Sequence, residues 1–225
     1  MTDFTLRTDP EGVAVLTWDV PGRSMNVLNL DSLKELDACV EQALADPEVK
    51  GIVVTSGKKD FAAGMDLNVI ATMKDSAGDE PARGLFDGIM SMHKALRRIE
   101  RAGMDPKTLK GGKPVACALP GTALGIGYEI PLACHRIFAA DNARAKIGLP
   151  EIKVGIFPGA GGTTRVVRKM GVLAAAPYLL EGKTLDPQAA KAASLVDEVV
   201  PGGELMDRAR AWVLANVGAD LAKPW

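Results

Sequence analysis

Three cysteines in 225 residues, Cys39, Cys117 and Cys134, are too few and too scattered for a disulfide framework or a zinc site, because the count is odd and no CxxC spacing occurs. Buried thiols in a reducing compartment follow, and with them the expectation of a cytoplasmic protein. Histidine is scarcer still. Neither His93, on an apolar helix face, nor His135, just before a strand, has a serine, cysteine or metal-ligand spacing beside it. Both therefore read as packed, hydrogen-bonded side chains, and no metal site is expected. No apolar run approaches the roughly 20 residues that span a bilayer, and Met1-Thr2-Asp3-Phe4 lacks a basic region followed by an apolar stretch, so no membrane span is expected. Excess charge is missing as well: a formal net charge of -1 gives no electrostatic reason to expect a nucleic-acid partner. Arg23, Lys58 and Lys59 could help an anionic ligand locally, but surface charge explains all three.

Common catalytic and nucleotide motifs are absent too. No GxSxG nucleophile elbow occurs. Gly125 and Gly127 begin a GxGxxG pattern that fails at Ile130, and Gly182-Lys183-Thr184 resembles a P-loop ending but has Pro177 where the first glycine belongs.

What is present suits one α/β domain with a good core, at 47% hydrophobic and 24% charged residues. Phe4 to Arg7 and Gly12 to Trp18 read as a hairpin around Asp9-Pro10-Glu11-Gly12. Leu30, Leu33, Leu36, Val40 and Leu44 recur with helical period up to Asp46-Pro47. Gly51-Ile52-Val53-Val54-Thr55 is an apolar strand of the kind covered on both faces. Strand, helix, strand argues for α/β layering. A polar connection begins at Asp75, after which Phe86, Ile89, Met90, His93 and Leu96 mark the buried face of a longer helix whose Lys94, Arg97, Arg98 and Arg101 read as a solvated face. A polar insert over 103–112 precedes the strand from Pro114 to Leu119. Short strands are expected at Ile137 to Ala140 and Ala145 to Ile147, and helices at 162–169, 172–180, 187–193 and 204–217.

Two small-residue loops carry the functional signal: Phe61-Ala62-Ala63-Gly64-Met65-Asp66-Leu67 and Gly121-Thr122-Ala123-Leu124-Gly125-Ile126-Gly127-Tyr128-Glu129. Each follows a predicted strand and leads into a predicted helix, so unpaired N–H groups and a positive helix end can face an anion. Glu129 taken alone reads equally as a helix-start carboxylate, and Glu151 as part of a surface turn. Both sit among apolar neighbours, where a carboxyl group has a raised pKa and can donate a proton near neutrality. Together, the loops and carboxylates suggest an oxyanion hole beside an acid/base pair, acting next to a carbonyl. The run Gly159-Ala160-Gly161-Gly162 reads first as a tight turn with close helix packing, with N–H groups near the site second.

In this order, these stretches resemble the enoyl-CoA hydratase/isomerase (crotonase) superfamily. The resemblance runs from Asn26-Val27-Leu28-Asn29 through both loops to the stretch from Leu149 to Thr163, which is the most specific. Within the superfamily it is greatest to the N-terminal hydratase portion of multifunctional fatty-acid β-oxidation α-subunits. The resemblance implies a crotonase-like spiral of ββα units with a helical C-terminal part, spanning residues 1–225 as a single domain. It implies an enoyl-CoA hydratase that adds water across the 2,3-double bond of a trans-2-enoyl-CoA, with CoA as part of the substrate and no separate cofactor. The backbone N–H groups of Met65 and Ile126 map to the oxyanion hole, and Glu129 and Glu151 to the catalytic pair. Ala62, Ala63, Gly64, Met65, Asp66, Leu67, Asn68 and Gly125 map to the acyl-CoA path, the two alanines near the adenine. The implied assembly is a trimer-based homo-oligomer, with a thiolase or a dehydrogenase as candidate partners. An isomerase using Glu151 alone and a weakly active acyl-CoA-binding or assembly module are the alternatives.

The chain departs from the family pattern at several places, among them two additional residues between Glu129 and Glu151 and the insert over 103–112. Ile126 stands where glycine is usual and is expected to resist positive φ and crowd the thioester. Pro120 replaces the usual asparagine. The helices that close the acyl tunnel at the C-terminus are expected to be missing.

Overall fold

The structure, a computed structural model, describes residues 2–66, 69 and 80–223. Leu67, Asn68 and most of the polar connection from Asp75 lie outside the described residues. In chain order the strands and helices are β1 (Phe4–Thr8), β2 (Val13–Trp18), β3 (Val27–Leu28), α1 (Leu30–Ala45), β4 (Gly51–Ser56), β5 (Gly64–Met65), α2 (Pro81–Arg101), β6 (Val115–Leu119), β7 (Ala123–Leu124) and α3 (Ile126–Ala133). These are followed by β8 (Arg136–Ala140), β9 (Ile147–Gly148), α4 (Gly162–Met170), α5 (Val172–Leu180), β10 (Thr184–Leu185), α6 (Pro187–Ala192), β11 (Glu198–Val200) and α7 (Leu205–Ala215).

A repeating unit is visible in that order. Four times in succession a strand of the main sheet (β2, β4, β6, β8) is followed by a two-residue strand (β3, β5, β7, β9) and then by a helix (α1, α2, α3, α4). The main sheet runs β1-β2-β4-β6-β8-β11, antiparallel only between β1 and β2 and parallel at every later pairing. Each repeat thus lays its long strand beside that of the previous one, and the chain winds as a spiral of ββα units. The short strands pair separately, β3 with β5 and β7 with β9, and the bridge between Ala62 and Ala123 joins the two sets.

Alternation along the strands explains why they read as continuous apolar runs. Val13, Val53, Ala116, Ala118, Phe138 and Val200 pack on one face against Leu205, Ala209 and Val213 of α7. Ala14, Leu16, Ile52, Val54, Cys117 and Ile137 turn to the other face and join the main core with α1, α2 and α3. With side chains alternating between faces, a strand covered on both sides must be apolar throughout.

Helix boundaries follow local chemistry. Asn29 caps α1 by accepting the Asp31 and Ser32 N–H groups, and Asp186 caps α6 by accepting that of Ala189. On α2 the buried stripe differs from the one expected. Met92, Ala95, Leu96 and Ile99 form it, whereas Phe86 is 58% exposed, because only the C-terminal half of the helix lies against the core. The face expected to be simply solvated is also tied down. Arg98 reaches both Asp37 and Glu41 on α1, and Arg97 pairs with Glu100. The short strand of the fourth repeat, β9, holds only Ile147 and Gly148, later than expected. The three cysteines are free thiols, Cys117 and Cys134 being buried. His135 is packed and hydrogen-bonded as expected: Nδ1 accepts the Val115 N–H at 2.9 Å and the ring faces the Glu100 carbonyl at 3.2 Å. Burial lowers its pKa to about 4. Among the described residues no helix is long and apolar enough to cross a membrane.

Candidate active site

The two anion-loop candidates are bonded to each other. Phe61 and Ala62 donate their N–H groups to the Thr122 carbonyl, Leu124 returns its N–H to the Ala62 carbonyl at 3.0 Å, and Asp60 accepts from the Thr122 N–H. Close contact reinforces the bonding, since a β-carbon on Gly127 would stand 2.5 Å from that of Ala62.

Asn26 anchors the first loop from below. Fully buried, it donates from Nδ2 to the carbonyls of Trp18 and Phe61 and accepts the Val20 N–H on Oδ1. Its own carbonyl takes the Ala63 N–H at 2.9 Å. Nδ2 also donates to Ser56 Oγ at 3.0 Å, but the remaining bonds of this buried amide fix backbone, a role that sequence reading missed. The only signal available was an asparagine set between Met25 and Val27.

Donor directions follow from the backbone. The Asp66 N–H is given to the Leu28 carbonyl and the Ala63 N–H to that of Asn26, with Met65 between them on the pocket wall. On the second loop, Gly125 takes the positive φ of 56° and Ile126 begins α3 with φ outside the left-handed region. Expected strain at Ile126 is therefore absent: the turn falls one residue earlier, on the glycine. As the first residue of the helix, Ile126 has an N–H with no intrahelical acceptor.

Glu151 arrives through the same joint. Gly125 donates to the Gly148 carbonyl on β9 at 3.1 Å, and the chain continues through Leu149 and Pro150 into a short 3₁₀ helix, Glu151–Val154. A β-carbon on residue 125 would stand 3.4 Å from Glu151 Oε1. Glu151 is 8% exposed, and its Oε2 has no hydrogen-bond partner among the described residues. Burial pushes its pKa up to about 7, opposed only by its own backbone N–H.

Glu129 lies one helical turn into α3 and is 2% exposed. Its Oε1 accepts the N–H groups of Ala160 at 2.9 Å and Gly162 at 2.7 Å. Burial, above all, raises its pKa to about 7, and the nearby charge of Glu151 pushes the same way, while the two N–H groups and Arg165 pull it down. The glycine run is thus more than a tight turn, because its amides hold one of the candidate carboxylates.

Met65, Ile126, Glu129 and Glu151 line one pocket of about 760 Å³. Its walls are mainly apolar, with Leu85, Ile89 and Met92 supplied by α2 and Phe157 by the segment after Glu151. This size and character suit a small organic group held by a few polar atoms. Of the other residues expected on the acyl-CoA path, Ala63, Gly64, Asp66 and Gly125 reach the pocket wall. Ala62 does not: it is fully buried behind the wall, against Gly127. Leu67 and Asn68 are outside the described residues. Arg23 joins the rim, paired with Asp66 at 3.3 Å, while Lys58 is engaged by Asp19. Among the described residues no group of His, Cys, Asp and Glu comes together that could hold a metal ion. The arrangement can stabilise charge on an oxygen at two N–H groups while two near-neutral carboxyl groups take and give protons.

A family model described as enoyl-CoA hydratase/isomerase matches residues 8–219. The fatty acid oxidation complex subunit alpha of Shewanella amazonensis is 36% identical over 214 residues, covering 95% of this chain and 28% of the relative. That of Shewanella frigidimarina is 36% identical over 222 residues, covering 98% and 29%. The chain therefore spans under a third of the length of these curated relatives. Among solved structures, an enoyl-CoA hydratase from Geobacillus kaustophilus superposes with a TM-score of 0.81 at 29% identity, covering 96% of this chain and 75% of that one. Human mitochondrial delta3-delta2-enoyl-CoA isomerase superposes with a TM-score of 0.78 at 26% identity, covering 95% and 77%.

Proposed function

The chain belongs to the enoyl-CoA hydratase/isomerase family, with its crotonase fold, and from that membership we propose that it is an enoyl-CoA hydratase of fatty-acid β-oxidation. The substrate is a trans-2-enoyl-CoA thioester. The thioester oxygen accepts the N–H groups of Met65 and Ile126, and the acyl chain lies against the apolar walls supplied by α2. Glu129 takes a proton from water as the water oxygen adds to C3 and electron density moves onto the thioester oxygen. Glu151 gives its proton to C2 as that density returns, and the product is the 3-hydroxyacyl-CoA.

Each part has a physical reason. A donor aimed at the developing oxyanion contributes on the order of 10²-fold in rate or more, since the charge it meets forms only on the way to the transition state. Two carboxyl groups held near neutrality can occupy opposite protonation states, as addition of water across a double bond requires. One observation carries the reading: Glu129 and Glu151, 22 positions apart in the chain, line the same pocket as the two candidate N–H donors. An isomerase needs one carboxyl group to carry a proton between carbons, so a second, fixed by two backbone amides, favours hydration.

Replacing Glu151 by glutamine tests this. Crotonyl-CoA hydration is expected to fall by ~10² to 10⁴-fold, with circular dichroism and melting behaviour retained. Turnover equal to the parent would reject the role of Glu151. Faster 3-enoyl isomerisation than hydration by the parent protein would favour the isomerase.

A further inference from the structure

Behind Glu129 stands a buried ion pair that takes no part in the chemistry above. Arg165 of α4 is 6% exposed and Glu100 of α2 is 5% exposed, with Nη2 of the arginine 2.8 Å from Oε2 of the glutamate. The other guanidinium arm, Nη1, donates to the Ala160 carbonyl at 3.0 Å. Ala160 is also the residue whose N–H holds Glu129, so one peptide turn is gripped from both sides. Gly161 makes the grip possible: its φ is 101°, and a β-carbon there would lie 2.6 Å from Nη1. Glu100 is itself anchored, by Arg97 at 2.9 Å through its carboxylate and by His135 through its carbonyl.

A buried ion pair is a poor source of stability, because desolvating two charges offsets most of their attraction. Its value here is directional. A guanidinium presents donors in a fixed plane, so with one arm on Glu100 the other has a single place to put the Ala160 carbonyl. That peptide, 160–161, lies between the two whose N–H groups, of residues 160 and 162, hold Glu129, so displacing it would shift the donors on either side of it.

We infer that Arg165 is a positioning residue for Glu129, with Glu100 as its anchor: the pair fixes the 160–162 turn so that two backbone amides hold the carboxylate in one orientation. The inference rests on the proposed role of Glu129 as the group that activates water. The charged and titratable neighbours of Glu129 are Glu151 from the 3₁₀ helix and Arg165 from α4, with His93 of α2 close to Gly161.

The test pairs turnover with a readout independent of it. In Arg165→Met, kcat for crotonyl-CoA hydration should fall on the order of 10- to 100-fold, as for a displaced catalytic group, with little change in KM. The Glu129 carboxyl, followed by carbon NMR of isotopically labelled glutamate and identified with Glu129→Gln, should titrate higher than in the parent. Arg165→Lys should recover part of kcat. The double variant Glu100→Met with Arg165→Met removes the ion pair as a unit and should regain melting temperature without regaining kcat. Recovery of kcat along with stability would make the pair merely structural and overturn the inference, as would an unmoved Glu129 midpoint in Arg165→Met. A parent protein that hydrates nothing, yet whose Glu129 midpoint moves on loss of Arg165, would sink the hydratase reading and keep the positioning link.

Discussion

Gly162 donates its N–H to Oε1 of Glu129 at 2.7 Å, and a β-carbon on the same residue would stand 2.9 Å from that oxygen. Absence of a side chain and presence of an amide are therefore used at one position. Because α4 begins at Gly162, which has no positive φ, alanine there meets no backbone strain. The main effect of Gly162→Ala should come from pushing the Glu129 carboxyl aside, since the new β-carbon also meets only the end of the Leu149 side chain, Cδ1, at 3.0 Å. Crotonyl-CoA hydration should drop on the order of 10- to 100-fold with a melting temperature close to the parent's.

Burial of Glu129 makes stability depend on pH in a direction opposite to that of a salt-bridged acid. Its pKa is about 7 in the fold against 4.5 for an unperturbed glutamate, so between those values the folded state binds more protons than the unfolded one. Stability attached to this group is fully present below pH 4.5 and is lost as pH rises through 7, by roughly 3 kcal/mol. Glu129→Gln keeps an oxygen to accept from Ala160 and Gly162 but carries no charge. The variant should unfold at higher urea than the parent at pH 8 and no higher at pH 4, and equal midpoints at both would show that the carboxyl is not held near neutrality.

Ile126 yields a third expectation, the reverse of what its place in the family pattern suggests. The residue is 4% exposed in the main core and helical, so shortening it removes packing without relieving strain. Ile126→Ala should cost about 2 to 4 kcal/mol in urea unfolding. Its N–H stays in place, so hydration of the short substrate crotonyl-CoA should survive in whatever fraction remains folded. A gain in rate would show that the side chain had been obstructing the thioester.

Several elements were legible in the chain because they depend on near neighbours. Helical spacing from Leu30 to Leu44, closed at Asp46-Pro47, marks α1, and the apolar run at 51–55 announces β4 as a strand covered twice. Phe86 misled because period alone cannot say how far along α2 the core extends. The two-residue strands β3, β5, β7 and β9 are too short to carry a pattern, yet they seat each loop, and the Ala62–Ala123 bridge joins the two.

By itself the sequence determined the order of parts: two small-residue loops before helices, two glutamates in apolar settings and a glycine run, each set by local preference and composition. Only the tertiary structure decided which of those parts meet. The Gly125 to Gly148 bond brings Glu151 beside the second loop, the 160–162 amides close on Glu129 from beyond it, and Asn26 braces the first loop through its side chain. Those contacts join residues tens of positions apart, and their geometry depends on how repeats of a spiral stack. Stacking is governed by the sum of all buried surfaces, which no short window of residues contains.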